Sequence, residues 1–188
     1  MRLCSRHSVS VMPEMDETSR QEVAFHRERK AIERSNAGKV LRKVAKQLRT
    51  LGFSRKSSFF WRERGHVIQF LHVHKFSFGP CFRVHVCLRV LNDSRSHAVL
   101  NGISSDDHAH YRMSIQYGHD EASLSKCAEE MLSYVSNVAE PWFLAQTYGA
   151  LLGSNSPLFP DEREALSAAL RGESDEARLA LSRSLFAA

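Results

Sequence analysis

The segment Phe82-Arg83-Val84-His85-Val86-Cys87-Leu88-Arg89-Val90 decides the fold, because apolar side chains occupy every second position along it. Alternation with a period of two is typical of a β-strand that buries one of its faces. Phe82, Val84, Val86, Leu88 and Val90 therefore point to a core. Cys81, Arg83, His85, Cys87 and Arg89 point to the opposite face of the same strand.

The residues before this strand predict two more strands. Consecutive aromatic side chains make Phe59–Arg62 a strand, Arg64-Gly65 is typical of a tight turn, and His66–Phe76 follows as a long second strand. Phe78-Gly79-Pro80 then turns the chain into the 81–91 strand. The sheet should therefore contain a hairpin of two long antiparallel strands.

The turn position also fixes the expected register of this hairpin. A turn centred on residues 77–80 places His72 opposite His85 and His74 opposite Arg83. One face of the sheet would then be apolar, and the other would gather imidazoles and guanidinium groups. A slip of one residue would remove this arrangement.

The remaining pattern indicates an α+β fold. We expect a mostly antiparallel sheet of about four strands, the fourth at Tyr111–Tyr117, with helices packed on one face and a C-terminal helical extension. Gly52 and Pro141 are expected to end helices, and Asp120, Asp161 and Ser174 to begin them. The predicted helices span residues 16–36, 39–51, 121–139, 142–152, 161–171 and 175–186.

Length and composition predict one domain. The 188 residues are 43% hydrophobic and 25% charged, which is ordinary for a globular protein. We divide the chain into a disordered leader at 1–15, an α+β domain at 16–152, and a helical extension at 153–188 packed on the same domain. Four cysteines without a C-x-x-C pair, and the lack of a signal peptide or apolar span, predict a cytoplasmic protein with reduced thiols.

Several of these pieces occur together in a known family. Leu48-x-x-Leu51-Gly52-Phe53, Phe60-Trp61-Arg62, the strands Val67–Lys75 and Phe82–Val90, and Glu121–Phe143 resemble a bacterial family of uncharacterised single-domain proteins, domain of unknown function family 4304. The resemblance covers roughly residues 39–145. It implies a small α+β fold with helices on one face of an antiparallel sheet, and it implies no catalytic residue. By fold-level analogy, some such domains look like immunity proteins, which bind and silence a toxin.

Charge is distributed unevenly and suggests a binding surface. The net charge is +5, but most Lys and Arg lie in the first half of the chain and the second half is acidic. A non-enzymatic domain that binds an acidic protein partner is the leading hypothesis, because no catalytic motif is present and no cofactor is indicated. The predicted binding residues on the polar sheet face and the basic helix are Trp61, His72, His74, Arg83, His85, Arg89, Arg42 and Lys46.

Two alternatives depend on other features. Histidines that share a sheet face could hold a divalent metal in a hydrolase or nuclease, with His72, His85, His108 and His110 as candidate ligands. Nine cations between Lys39 and Arg64, interleaved with Phe53, Phe59, Phe60 and Trp61, could bind RNA or single-stranded nucleic acid. Pro141-Trp142-Phe143 is expected to pack on the apolar side of the sheet. The pattern gives no oligomeric state.

Overall fold

A five-stranded antiparallel sheet forms the centre of the computed structural model, which describes residues 17–112 and 115–187. The strands follow one another in the sheet in chain order, from β1 to β5. Their bounds are β1 Ser54–Lys56, β2 Phe59–Arg64, β3 Val67–Lys75, β4 Phe82–Val90 and β5 Ile103–Ser104. The predicted α+β class is thus confirmed, with one strand more than the four expected.

The predicted hairpin register is confirmed. His72 of β3 lies opposite His85 of β4, and His74 lies opposite Arg83. The apolar face of β4 is completely covered, and Val84, Val86 and Val90 have no exposed surface. Local alternation of side chains was sufficient to fix this register, because a slip of one residue would have put these valines in water.

The helical layer on that apolar face begins with α1, Glu17–Leu48. Two separate helices were predicted here, and this is wrong: the helix continues through Gly38. The buried side chain of Asn36 donates a hydrogen bond to the carbonyl oxygen of Gly118, 3.3 Å away, so a polar residue that indicates a helix end in the sequence is satisfied within the helix. A 3-10 turn over Arg49–Leu51 follows, and Gly52 ends it at φ 82° as predicted.

The second long helix of this layer is continuous with a π turn. Asp120 caps α2, Glu121–Tyr134, and accepts a hydrogen bond from the Ser123 N–H at 2.8 Å. Residues Val135–Ala139 form a π-helical turn and lead into α3, Glu140–Ala145. Pro141 was expected to end the helix, but it lies in the first turn of α3, a position that tolerates proline.

Three shorter helices follow in the described part of the chain: α4 Tyr148–Leu152, α5 Pro160–Leu170 and α6 Glu176–Ser184. The predicted caps Asp161 and Ser174 are wrong by one or two residues. The Glu162 side chain accepts from the Phe159 N–H at the start of α5, and Asp175 caps α6. Leu151 and Leu166 join the core beneath α1 and α2, whereas α6 packs on the opposite face of the sheet through Leu179 and residues that follow it.

The described residues of the predicted strand at Tyr111–Tyr117, 111–112 and 115–117, form no strand of the sheet. Tyr111 and Arg112 lie in a turn, and Gln116 forms an isolated bridge with Cys81. The fifth strand is instead Ile103–Ser104, inside a segment that the sequence indicated as a loop. Residues 113 and 114, like the predicted leader at 1–15, lie outside the described residues.

Among the helices in the described part of the chain, none has the length and apolar character needed to cross a membrane.

Candidate functional site

Three imidazoles and one guanidinium lie together on the sheet face opposite α1. We call His72, His74, Arg83 and His85 the histidine face. The rings of His72 and His85 are nearly parallel, at 16°, with centroids 6.0 Å apart, and the ring of His74 lies 6.3 Å from that of His72. Because β3 and β4 are the central long strands, ladder hydrogen bonds hold the backbone beneath all four residues.

Aromatic side chains support this cluster from two sides. Phe59 of β2 lies opposite His72 and stacks on it, with centroids 4.7 Å apart. The Arg83 guanidinium carbon lies 4.9 Å from the centroid of the Phe76 ring, in a cation–π contact. Phe78, in the turn that follows, is 74% exposed. The imidazoles therefore lie between an anchored aromatic ring and an open aromatic turn.

A short 3-10 turn supplies the acidic partner of Arg83. The Val84 N–H donates to Ser105 Oγ at 3.1 Å, and the Ser104 N–H donates to Asp107 Oδ2 at 2.7 Å. These bonds fix the turn Ser105–Asp107 beside β4, and Asp106 forms an ion pair with Arg83. About a third of the Arg83 side chain remains exposed in this pair, so the guanidinium is partly open to solvent.

Burial and mutual repulsion disfavour protonation of two of the imidazoles. Burial is the main cause that lowers the pKa of His72, and His85 and His74 lower it further. The pKa of His85 is lowered by burial, then by Arg83 and His74, against the opposing effect of Asp106 and Asp107. Burial and the neighbouring positive charges therefore favour the neutral form of both imidazoles.

The same sheet face is closed at its other end. Ile68, Phe70, Cys87 and Leu91 form a second apolar cluster with Phe186, which follows α6 and is 1% exposed. Burial raises the pKa of the Cys87 thiol to about 12, as expected for a thiol held among apolar side chains. Among the described residues, the part of the face next to the hairpin turn is left open.

Arg89 lies beneath α6 and the residues that follow it, at the closed end of the face. Its predicted position on the open surface is therefore wrong. Its side chain is 1% exposed and donates hydrogen bonds to Ser182 Oγ and to three backbone carbonyl oxygens, those of Asp93, Arg95 and His97. It also forms a buried ion pair with Asp93 at 3.1 Å. Arg89 joins α6 and the loop after β4 to the sheet. Its guanidinium is therefore not available to bind a partner.

Trp61 is half-buried at the boundary between the two ends. Its ring packs against Phe186 at a centroid distance of 6.2 Å, and it faces Phe70 across the ladder. Trp61 therefore has a structural role beneath Phe186 in addition to its predicted binding role.

The basic helix and the histidine face are on opposite sides of the sheet. Val40 and Val44 of α1 belong to the same core as Val84, whereas His85, the next residue of β4, points away from that core. Arg42 and Lys46 are exposed on α1. The predicted single surface that combines these two cations with the polar sheet face is therefore wrong.

The remaining histidine candidates are in the other layer. His108 packs near the ring of Tyr134, which belongs to the core beneath α2, and His110 packs on Tyr111. They do not join His72 and His85. Across residues 17–112 and 115–187, no three His, Cys, Asp or Glu side chains converge in a geometry that could hold a metal ion.

Two of the aromatic residues proposed to stack on bases are inside the protein. Phe53 and Phe60 are 4% and 1% exposed. The Arg62 guanidinium lies over the Phe53 ring at 4.3 Å and pairs with Glu140 at 2.8 Å. Phe53, Phe60 and Arg62 consequently form part of the core and are not available as a stacking platform.

Comparison with protein-family models, with curated proteins and with solved structures finds no match to this chain.

Sequence reasoning missed the residues that shape this site. Asp106 was not among the predicted binding residues, although an Asp-Asp pair in the loop that follows an arginine-bearing strand is a signal for an ion pair. Phe186 gave little signal, because a single aromatic residue after a short amphipathic helix does not indicate which surface it covers. Phe59 and Phe76 were detected as strand residues, but their contacts depend on the tertiary register.

Proposed function

We propose that this protein is a non-enzymatic binding domain that recognises an acidic protein partner through the histidine face. The observation that carries the proposal is the juxtaposition of His72, His74, His85 and Arg83 on the two central strands, at the one end of this face that α6 leaves open. A rigid sheet surface of this kind presents its side chains without a large ordering cost on binding.

The chemistry of the face fits carboxylate groups. Arg83 offers further guanidinium donors besides those used by Asp106, and the imidazoles supply N–H donors that can become charged. A partner carboxylate could share Arg83 with Asp106 or replace it. The adjacent exposed Phe78 offers apolar contact area, which is typical of the aromatic anchors in protein interfaces.

The proposal includes a setting for this binding. Cys81, Cys87 and Cys127 are free and buried, which fits a reducing compartment such as the bacterial cytoplasm. By fold-level analogy with small immunity domains, the role would be immunity-like: the domain would bind and silence an acidic toxin. In that case the histidine face would form the toxin-binding surface.

A matched pair of charge-reversal variants tests the surface. Tagged wild-type protein is compared in native lysate with His74→Glu/Arg83→Glu on the histidine face and with Arg42→Glu/Lys46→Glu on α1, followed by mass spectrometry and a nuclease-treated control. Both variants introduce two carboxylates at exposed or half-exposed positions, and circular dichroism checks that each variant folds, because Arg83→Glu also places a carboxylate beside Asp106.

The proposal predicts a specific protein partner that is retained by the α1 variant and reduced at least tenfold with the histidine-face variant. Retention of every wild-type partner by the histidine-face variant contradicts it. Loss of the partner only in the α1 variant would show that the binding site is on the basic helix. Recovery that depends on intact RNA or DNA favours the nucleic-acid alternative.

A further inference from the structure

Within residues 17–112 and 115–187, the charged groups around the histidine face can be named element by element. β3 contributes His74 and β4 contributes Arg83; the buried thiol of Cys81 lies just before β4. The 3-10 turn contributes Asp106 and Asp107, which attract a proton toward His85. From β1, Lys56 reaches the other way and donates to the Ser184 carbonyl oxygen at 3.4 Å.

Two buried nitrogens of the face lack partners. His72 Nδ1 and Arg83 Nε are inaccessible to solvent and have no hydrogen-bond partner among residues 17–112 and 115–187. An unsatisfied buried polar atom destabilises the folded state, because the desolvation of that atom is not compensated. The neutral, unliganded face is therefore not fully satisfied, although the strands that carry it are well packed.

Protonation of the face is limited by a shortage of negative charge. The rings of His72 and His85 lie close enough to repel one another when both are cations, and Arg83 adds a third positive charge beside them. Asp106 is already engaged by Arg83. An added carboxylate on the open side would supply the missing charge without displacing any core side chain.

We propose that the histidine face binds carboxylates together with protons, so that docking of an acidic segment transfers protons from solvent to the His72–His85 pair. This inference rests on the proposed function and adds its regulation. No bond between heavy atoms changes: each imidazole takes one proton from a buffer acid, which leaves its conjugate base in solution, and the resulting imidazolium pairs with a carboxylate of the ligand. By linkage, acidification must strengthen the same binding.

The expected effect is a pH-dependent affinity. For each imidazole that is protonated on binding, the dissociation constant should fall by up to about tenfold for each pH unit of acidification, within the window between the free and bound pKa values. Ligand carboxylates of the aspartate type remain ionised through this window, because their ordinary pKa is about 3.9.

Calorimetric titration with a poly-aspartate peptide tests the inference. Titrations at about pH 6 and about pH 7.5, each in two buffers that differ in heat of ionisation, give both the affinity and the number of protons taken up. The wild-type protein answers the question by itself. His72→Gln/His85→Gln should abolish proton uptake, and His119→Gln, at an exposed position outside the face, should leave it unchanged.

The outcomes separate the inference from the function beneath it. Proton uptake with tighter binding at the lower pH, lost in the double variant, supports the inference. Binding without proton uptake, or uptake that persists in the double variant, overturns it and leaves the acidic-partner proposal standing. No binding at either pH overturns that proposal, and the inference with it.

Discussion

Arg83 and Arg89 belong to the same strand and point to the same face of the sheet, yet their surroundings differ completely. Arg83 is half-exposed and has one carboxylate partner, Asp106. Arg89 is buried, and its ion pair and hydrogen bonds join the sheet to α6 and to the loop after β4. The alternation of side chains along β4 predicts the same environment for both residues. A helix nearly a hundred residues later decides which of them can meet a partner.

The largest expected effect comes from removing Arg89. In Arg89→Ala the buried carboxylate of Asp93 loses its closest cation, which should lower the free energy of unfolding by about 3–5 kcal/mol. Arg83→Ala, at the open end, should cost about 0–1 kcal/mol, because solvent screens a partly exposed ion pair. Urea denaturation monitored by circular dichroism measures both variants. Equal losses would show that the two ends of the face are not distinct.

Substitution of Phe186 tests whether apolar contacts close this end of the sheet face. It contacts Phe59, Trp61 and Phe70, with ring centroids between 5.0 and 6.2 Å, so Phe186→Ala should lower the free energy of unfolding by about 3 kcal/mol.

The matched control is Phe78→Ala, whose ring is 74% exposed and whose loss should change stability by less than about 0.5 kcal/mol. Binding of a hydrophobic dye should rise in Phe186→Ala alone. A Phe186→Ala protein as stable as the Phe78→Ala control would mean that the chain end does not close the face.

The open end should make stability depend on pH. His72 and His85 have pKa values below the ordinary value in the folded protein, so the unfolded chain binds more protons as the pH falls through about 6.5. The free energy of unfolding should therefore decrease on acidification from about pH 7.5 to about pH 5.

Denaturation curves at several pH values measure this slope, which His72→Gln/His85→Gln should flatten and His119→Gln should not. An unchanged slope in the double variant would show that the acid sensitivity arises elsewhere in the protein.

The smallest effect concerns an exposed tether between the sheet and the cover. Arg183 forms a two-contact ion pair with Glu63 of β2, and it lowers the pKa of that carboxyl group. Because both side chains are substantially exposed, Arg183→Ala should cost about 0.5 kcal/mol or less. The difference from wild type should shrink further in about 1 M salt. If Arg183→Ala lowered the free energy of unfolding as much as Phe186→Ala, the ion pair and not the apolar contacts would hold α6 on the sheet.

Features set by local periodicity could be predicted from the sequence. The alternation in β4 and the turn at residues 78–80 were sufficient for the His72–His85 and His74–Arg83 pairs, because a hairpin register depends on neighbouring residues. The Asp120 cap and the Gly52 helix end were predicted for the same reason.

Features that depend on distant contacts could not be predicted from the sequence. Asn36 looks like a helix end until its amide meets the Gly118 carbonyl, far away in the chain. The choice of Ile103–Ser104 over Tyr111–Tyr117 as the edge strand depends on which segment reaches β4 with a satisfied backbone. The burial of Arg89 required the position of Ser182, which no pattern near β4 contains.

The π turn at Val135–Ala139 has a consequence for insertions and deletions in this chain. Glu140 donates its N–H to the Val135 carbonyl, five residues earlier, so this turn holds one residue more than an α-helical turn. Deleting the exposed Ser136 would restore regular helical hydrogen bonding but would rotate everything after it by about 100°. Phe143, now in the core, would then face solvent. The extra residue is therefore a phase shift on which α3 and its apolar contacts depend.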